Sequence, residues 1–153
     1  MQRIELSEVI PAPRDVVWEL FTDHAGWSRW AGIRESVLRS PGYPAPNGVG
    51  AIRVFRQSGV AVEEEVTAFE PPHQMEYCLT AGAPIRDHHG VVRMEPTPEG
   101  GTSVSWTVTF RPWIPGTGGL LRRILERSLR DVLRRLVAHP FDLLRAASQP
   151  AGR

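Results

Sequence analysis

The alternation of apolar and polar residues predicts that most of this chain forms β-strands. Residues 2–10 alternate, with Ile4, Leu6 and Ile10 marking much of one face, as in a half-buried strand. Similar runs recur between Pro/Gly-rich turns, at residues 36–39, 50–57, 60–69, 74–80, 88–95 and 102–110. The pattern therefore predicts one strand at the start of the chain and about six more in its middle.

Helical spacing appears twice, on either side of the strand-rich middle. Pro13 suits the first turn of a helix, and Val17 and Phe21 follow it at helical spacing. A second short helical turn ends at Trp30. A long helix is expected from about residue 118 to 139, continuing at most to 147, with a broad apolar stripe that includes Leu125, Leu129 and Val132. Pro140 should kink or end it.

This order of elements predicts an α+β fold. An antiparallel sheet of about six to seven strands would wrap around the long C-terminal helix, with two short helices after the first strand. We expect a single domain over residues 1–147 and a disordered tail over 148–153. A cavity remains between sheet and helix wherever side chains do not fill that space.

Composition restricts the classes of function. Charged residues make up 23% and the formal net charge is +1, so bulk charge predicts neither a nucleic-acid partner nor a membrane partner. The sequence lacks both an apolar run of the ~20 residues that span a bilayer and a signal sequence, so we expect a cytoplasmic protein with no integral membrane segment. The chain contains no lysine, which excludes Schiff-base chemistry. Its single cysteine, Cys78, is expected to be a small buried apolar residue.

The most specific chemical prediction comes from a hairpin around Ser58–Gly59. A two-residue loop there pairs Gln57 with Val60 and therefore places Arg53 opposite Glu64. The same side of the sheet carries Phe55, Val62 and other apolar residues, so it is the better candidate for the concave wall. The pair either fixes only the strand register or lets Arg53, held by Glu64, orient a carboxylate or phenolate of a ligand.

Other polar candidates lie on neighbouring strands. His88 and His89 point to opposite faces, and we favour His88 as the inward one because it shares its face with Val92 and Met94. An inward histidine is either a hydrogen-bonded wall residue or a general base. Tyr77 either orients a ligand with its phenol or is an ordinary strand aromatic. The histidine spacing predicts no metal site, and we expect no cofactor.

Several motifs resemble those of the polyketide cyclase/dehydrase and lipid-transport family of the START-like, Bet v 1-like superfamily. They are Ile10, Ala12-Pro13, Val17-Trp18, Phe21, Asp23, Trp27, Trp30, Gly48-Val49-Gly50, the run from Val66 to Pro72, Gly100-Gly101-Thr102 and Trp106. The resemblance covers nearly the whole chain. It implies the helix-grip fold and a ligand cavity whose mouth lies near Trp27 and Trp30.

The cavity wall is expected to combine aromatic and aliphatic residues with a few polar groups. Its members would be Trp27, Trp30, Arg53, Phe55, Val62, Glu64, Tyr77, His88, Trp106, Leu125, Leu129 and Val132. Binding of a small hydrophobic molecule, such as a lipid, a polyketide-like compound or an aromatic metabolite, is the favoured function. One alternative is a polyketide cyclase or dehydratase using Arg53, Glu64 and His88; another is a partner-binding domain without a functional pocket.

Arginines crowd the long helix. Arg122, Arg123, Arg127, Arg130, Arg134 and Arg135 are accompanied there by only Glu126 and Asp131. A solvated helix face encoded without lysine explains this, and weak contact with an anionic surface is the alternative. The sequence gives no indication of the oligomeric state.

Overall fold

A computed structural model describes residues 1–141 as one seven-stranded antiparallel sheet with three helices. The strands are β1 (Gln2–Ile10), β2 (Glu35–Ser40), β3 (Ile52–Gln57), β4 (Val60–Glu70), β5 (Gln74–Ala81), β6 (Ile85–Pro96) and β7 (Thr102–Pro112). The helices are α1 (Arg14–Thr22), a short 3₁₀ helix (His24–Arg29) and α2 (Gly118–Ala138). The predicted tail and the possible extension of α2 to residue 147 lie outside the described residues.

The strand order is β1-β7-β6-β5-β4-β3-β2, a meander in which β1 returns to pair with the last strand. Helix α2 packs mainly against β1 and β7, and the 3₁₀ helix packs against β2 at the other edge of the sheet. The α+β prediction is confirmed, including the two short helices after β1 and the long C-terminal helix on the sheet. α2 ends directly before His139 and Pro140, as the missing proline N–H requires.

The core lies between the concave face of the sheet and the three helices. Alternate residues of β7, from Thr102 to Phe110, are fully buried, because each strand turns every second side chain toward the helices. Phe21, Trp27, Phe55 and Trp106 meet at ring-centroid distances of 4.9 to 6.3 Å. These rings fill the space between sheet and helices at the end where the 3₁₀ helix lies. No helix within residues 1–141 is long and apolar enough to span a bilayer.

Candidate functional site

The predicted register of the β3–β4 hairpin is the observed one. Ser58 and Gly59 both have positive φ, as a two-residue hairpin turn requires, and Gln57 pairs with Val60. Arg53 therefore faces Glu64 across the ladder. Arg53 Nε and Nη2 donate to Glu64 Oε2 at 2.9 and 2.8 Å, while the two side chains are 1% and 13% exposed. The pair is thus a desolvated ion pair on the concave face.

Three aromatic rings surround the Arg53 guanidinium. Its central carbon lies 5.2, 5.0 and 4.7 Å from the ring centroids of Trp27, Phe55 and Tyr77. These distances allow cation–π attraction, which is strongest where water is excluded. With 1% of its side chain exposed, Arg53 presents almost no surface to a ligand. Glu64 is the member of the pair that faces solvent.

His24 completes the Arg53 environment and was not a sequence-based candidate. It is fully buried on the 3₁₀ helix, where its Nε2–H donates to the Asn47 carbonyl at 3.0 Å. Its Nδ1 therefore accepts from Arg53 Nη1 at 3.1 Å. Burial and the Arg53 charge lower the pKa of His24 to about 3, so the imidazole is neutral. Because 29 residues separate His24 from Arg53, no local spacing signals this contact.

A hydrogen bond fixes the Tyr77 hydroxyl, and the absence of a side chain at Gly90 leaves room for the Tyr77 ring. Its hydroxyl accepts from Trp106 Nε1–H at 2.8 Å, and its ring lies over Gly90, where a Cβ would come within 2.3 Å of the ring. Burial, followed by the Glu64 charge, raises the pKa of Tyr77 well above its usual value. The phenol is therefore neutral and packed beneath the Arg53 guanidinium.

A register shift in β6 sets the direction of His88. The β6–β7 ladder is irregular between Arg86 and His89, and Asp87 has a φ of +52°. His88 is half-buried on the concave side with Val92 and Met94, whereas His89 is exposed. The His88 Nδ1 accepts a hydrogen bond of 2.9 Å from the backbone N–H of Leu79. That bond leaves the proton on Nε2, and burial lowers the pKa of the ring.

Most of the predicted apolar wall is packed into the core. Trp27, Trp30, Phe55, Trp106, Leu129 and Val132 are all buried and belong to a single hydrophobic cluster, whereas Val62 and Leu125 are half-buried. Trp27 Nε1–H donates to the Phe21 carbonyl at 2.7 Å. Trp30 Nε1 has no hydrogen-bond partner among residues 1–141. The structure thus places the predicted wall residues in one cluster and leaves only a few of them facing solvent.

Burial decreases in one direction along several neighbouring elements. On β4 the inward residues change from buried Val66 through Glu64 and Val62, both half-buried, to exposed Val60. On β5 the change is from Tyr77 to half-buried Leu79. The inward residues of β6 and α2 follow the same direction, ending at His88 on β6 and at Leu121 and Leu125 on α2. The concave face therefore opens at the end formed by the β3–β4 and β5–β6 turns and the start of α2.

Glu64 and His88 are the polar side chains at this open end, which we call the groove. Glu64 Oε2 is occupied by Arg53, while its Oε1 makes no hydrogen bond within the described part of the chain. His88 Nε2–H is likewise free of partners among those residues. The groove thus offers one charged acceptor and one neutral donor beside the apolar side chains of Val62 and Leu79, at the end of the concave face where Leu125 of α2 is half-buried. No cluster of three metal-ligating side chains occurs within residues 1–141.

Comparison with solved structures places this architecture among known ones. The chain is similar to the protein XoxI from Bacillus cereus, with a TM-score of 0.77 and 19% identity over 94% of this chain and 98% of that one. It is similar to a START superfamily protein from Mycobacterium smegmatis, with a TM-score of 0.78 and 10% identity over 92% and 98% of the two chains. It is also similar to the Zhui aromatase/cyclase from Streptomyces sp. R1128, with a TM-score of 0.78 and 16% identity over 97% of this chain and 99% of that one. At these identities the likeness concerns the fold.

Sequence comparison identifies the family. None of the curated proteins matches the chain. The family model described as polyketide cyclase / dehydrase and lipid transport matches residues 1–139, which include every described element of the fold. The resemblance inferred from the strand–Ala-Pro–helix motif and the tryptophans is thereby confirmed. The chain belongs to the polyketide cyclase/dehydrase and lipid transport family.

Proposed function

We propose that the protein binds a small hydrophobic molecule that carries a hydroxyl or carbonyl group in the groove. Membership of the family suggests hydrophobic ligand binding. The observation that carries the proposal is the pairing of two free polar atoms, Glu64 Oε1 and His88 Nε2, with half-buried apolar side chains at the open end of the concave face. Mostly apolar walls with a few fixed polar groups are typical of small-molecule sites.

The chemistry of these atoms selects the ligand class. A ligand hydroxyl can donate to Glu64 and accept from His88, and a carbonyl can accept from His88. A carboxylate would be repelled by Glu64, because the nearest cation, Arg53, is already fully engaged with Glu64 and His24. The groove therefore favours a neutral ligand. Arg53 acts in this proposal as a positioning residue that fixes the Glu64 carboxylate.

Catalysis is a second candidate, supported by the same two side chains. Glu64 could accept a proton from a carbon next to a carbonyl while His88 Nε2–H donates a hydrogen bond to the developing enolate oxygen. One of the structurally similar proteins is an aromatase/cyclase, although that likeness concerns the fold. Cyclisation of a polyketide-like substrate would require both groups, whereas simple binding would require only the apolar walls and one hydrogen bond. We favour binding for this reason.

The neutral hydrophobic dye Nile red, which carries a carbonyl, tests the proposal by fluorescence titration. We expect saturable binding at one dye per chain. Val62→Trp should fill the groove and weaken binding by at least tenfold, and Val37→Trp, on the outer face of β2, should leave it unchanged. Circular dichroism of both variants verifies that they are folded.

Two outcomes count against the proposal. Equal binding by the Val62 and Val37 variants would place the dye elsewhere, and non-saturable binding would show that no defined site exists. Native mass spectrometry of the purified protein supplies an independent measurement, because a co-purified molecule should be lost from Val62→Trp. For the catalytic alternative, His88→Ala should abolish turnover of a polyketide-like substrate, whereas it should weaken dye binding only by the loss of one hydrogen bond.

A further inference from the structure

Large apolar side chains are exposed together where β7 leads into α2. Trp113, Ile114, Leu120 and Ile124 are 64, 62, 62 and 56% exposed and lie within twelve residues of sequence. Single exposed apolar residues are ordinary on protein surfaces, whereas contiguous ones indicate an interaction site. We call these four residues the loop–helix patch.

Hydrogen bonds tie the loop that carries Trp113 and Ile114 to the start of α2 and to a neighbouring turn. The backbone N–H and Oγ1 of Thr117 both donate to the Ile114 carbonyl, at 3.3 and 2.6 Å, and fold the loop onto the start of α2. The Trp113 N–H donates to the Pro84 carbonyl at 3.0 Å and ties the loop to the β5–β6 turn. Leu120 and Ile124 lie one helical turn apart on the exposed side of α2. The patch therefore borders the open end of the groove.

Unpaired positive charge flanks the patch. Arg123 and Arg127 follow Leu120 and Ile124 by three residues on the same exposed side of α2. Three other α2 arginines pair with Glu126 or Asp131. Within residues 1–141, neither Arg123 nor Arg127 has a carboxylate within salt-bridge distance. The surface is thus apolar in its middle and cationic at its side.

We propose that the loop–helix patch docks onto an anionic lipid bilayer. Tryptophan is enriched at the interface between membrane and water, and aliphatic side chains beside it enter the acyl boundary. Arginines at the same level are attracted by anionic headgroups. A symmetric dimer through this patch would bring four unpaired arginines together, so the charge disfavours a second copy as the occupant. Docking would bring the open end of the groove to the membrane, and the proposal does not depend on ligand binding.

The fluorescence of Trp113 gives a direct test with the full chain. The other four tryptophans, Trp18, Trp27, Trp30 and Trp106, are buried, so Trp113 alone can enter a bilayer. The vesicles contain phosphatidylcholine and phosphatidylserine at a ratio of about 7:3, because phosphatidylserine gives the surface a negative potential. On binding, we expect a blue shift of the Trp113 emission and its quenching by brominated acyl chains. Neither should occur with phosphatidylcholine alone, and neither should occur in Trp113→Ser.

Matched variants distinguish the effect of the arginines beside the patch from the effect of net charge on vesicle binding. Arg123→Gln/Arg127→Gln should weaken co-sedimentation with the anionic vesicles by about 30-fold, since each arginine near such a surface contributes a factor of about five. Arg34→Gln/Arg134→Gln removes the same charge from exposed positions away from the patch and should change binding little. Leu120→Gln/Ile124→Gln should also weaken binding without unfolding the protein, because both side chains are exposed.

Three results would overturn the proposal. The first is absence of binding to the anionic vesicles. The second is an equal loss of binding in both arginine double variants, which would indicate non-specific attraction. The third is sedimentation that shows patch-dependent dimers in solution, because the patch would then be an interface between copies of this chain.

Discussion

Replacement of Glu64 by glutamine should expose the energetic cost of burying Arg53. Glutamine keeps the shape and one acceptor but removes the charge, so Arg53 becomes an uncompensated cation with 1% of its side chain exposed. Breaking a buried pair by removing one partner typically costs 3–5 kcal/mol. Glu64 is 13% exposed and the three aromatic rings still attract the guanidinium, so we expect the lower end of that range. The free energy of unfolding should therefore fall by about 3 kcal/mol.

Equilibrium unfolding in urea at pH 7, followed by circular dichroism, measures this loss. With a slope of about 2 kcal/mol per M, the midpoint should fall by about 1.5 M. Glu63→Gln is the matched control, because Glu63 is the preceding residue on the opposite face and pairs with the exposed Arg39. That substitution should cost at most about 1 kcal/mol.

A double variant distinguishes a buried ion pair from ordinary packing. Arg53→Met/Glu64→Leu removes both charges, and such replacements are often neutral or stabilising. We expect the double variant to be more stable than Glu64→Leu alone. The cycle completed by Arg53→Met and Glu64→Leu should give a coupling free energy of about 2 kcal/mol or more. A cost for Glu64→Gln no larger than that for Glu63→Gln would contradict the desolvation of Arg53 that the structure indicates.

Three further predictions concern burial, packing and thiol chemistry. The lowered pKa of His24, about 3, means that its contribution to stability is complete above its unfolded-state value of 6.5 and is lost as the pH falls toward 3. Between pH 6.5 and 4, the free energy of unfolding measured in urea should therefore fall more steeply in the wild type than in His24→Asn, by up to about 1.4 kcal/mol per pH unit. Parallel plots of this free energy against pH would contradict the prediction. Gly90→Ala should destabilise by about 1–3 kcal/mol and alter the near-ultraviolet circular dichroism, because the new methyl group meets the Tyr77 ring, whereas Gly119→Ala meets no neighbour and should be neutral or stabilising. Burial, followed by the Glu65 charge, raises the pKa of the Cys78 thiol. Its reaction with a disulfide reagent at pH 7 should therefore be slower than that of a free thiol in solution. An equally fast reaction would contradict this environment of Cys78.

Local patterns were sufficient for the elements and for one contact between neighbouring strands. The two-residue turn at Ser58–Gly59 fixes the register of β3 and β4, and the period of two then places Arg53 opposite Glu64. The inward direction of His88 followed from its apolar neighbours on the same face. Turn geometry and strand alternation act over a few residues, so they are readable from the sequence.

The partners of Arg53 beyond the hairpin were not readable in this way. His24 reaches it from the 3₁₀ helix, and Tyr77 reaches it from β5, through packing that joins distant parts of the chain. The sequence also could not decide how far aromatic side chains fill the space under the helices. Trp27 and Trp106 were expected to border a cavity, and the described structure packs both against Phe21.

The fold class and the Arg53–Glu64 register could be predicted from the amino-acid sequence, because hydrophobic period and turn chemistry are local properties. The family was predicted from the resemblance of its motifs. Which end of the concave face is filled and which is open depends on the volumes of side chains from several elements packed together, so it required the three-dimensional structure. The same holds for the polar atoms that remain without a partner. Arg53 is enclosed by Glu64, His24 and three rings, whereas Glu64 and His88 each keep one polar atom without a partner among residues 1–141, and for that reason the proposed function assigns the ligand contacts to them.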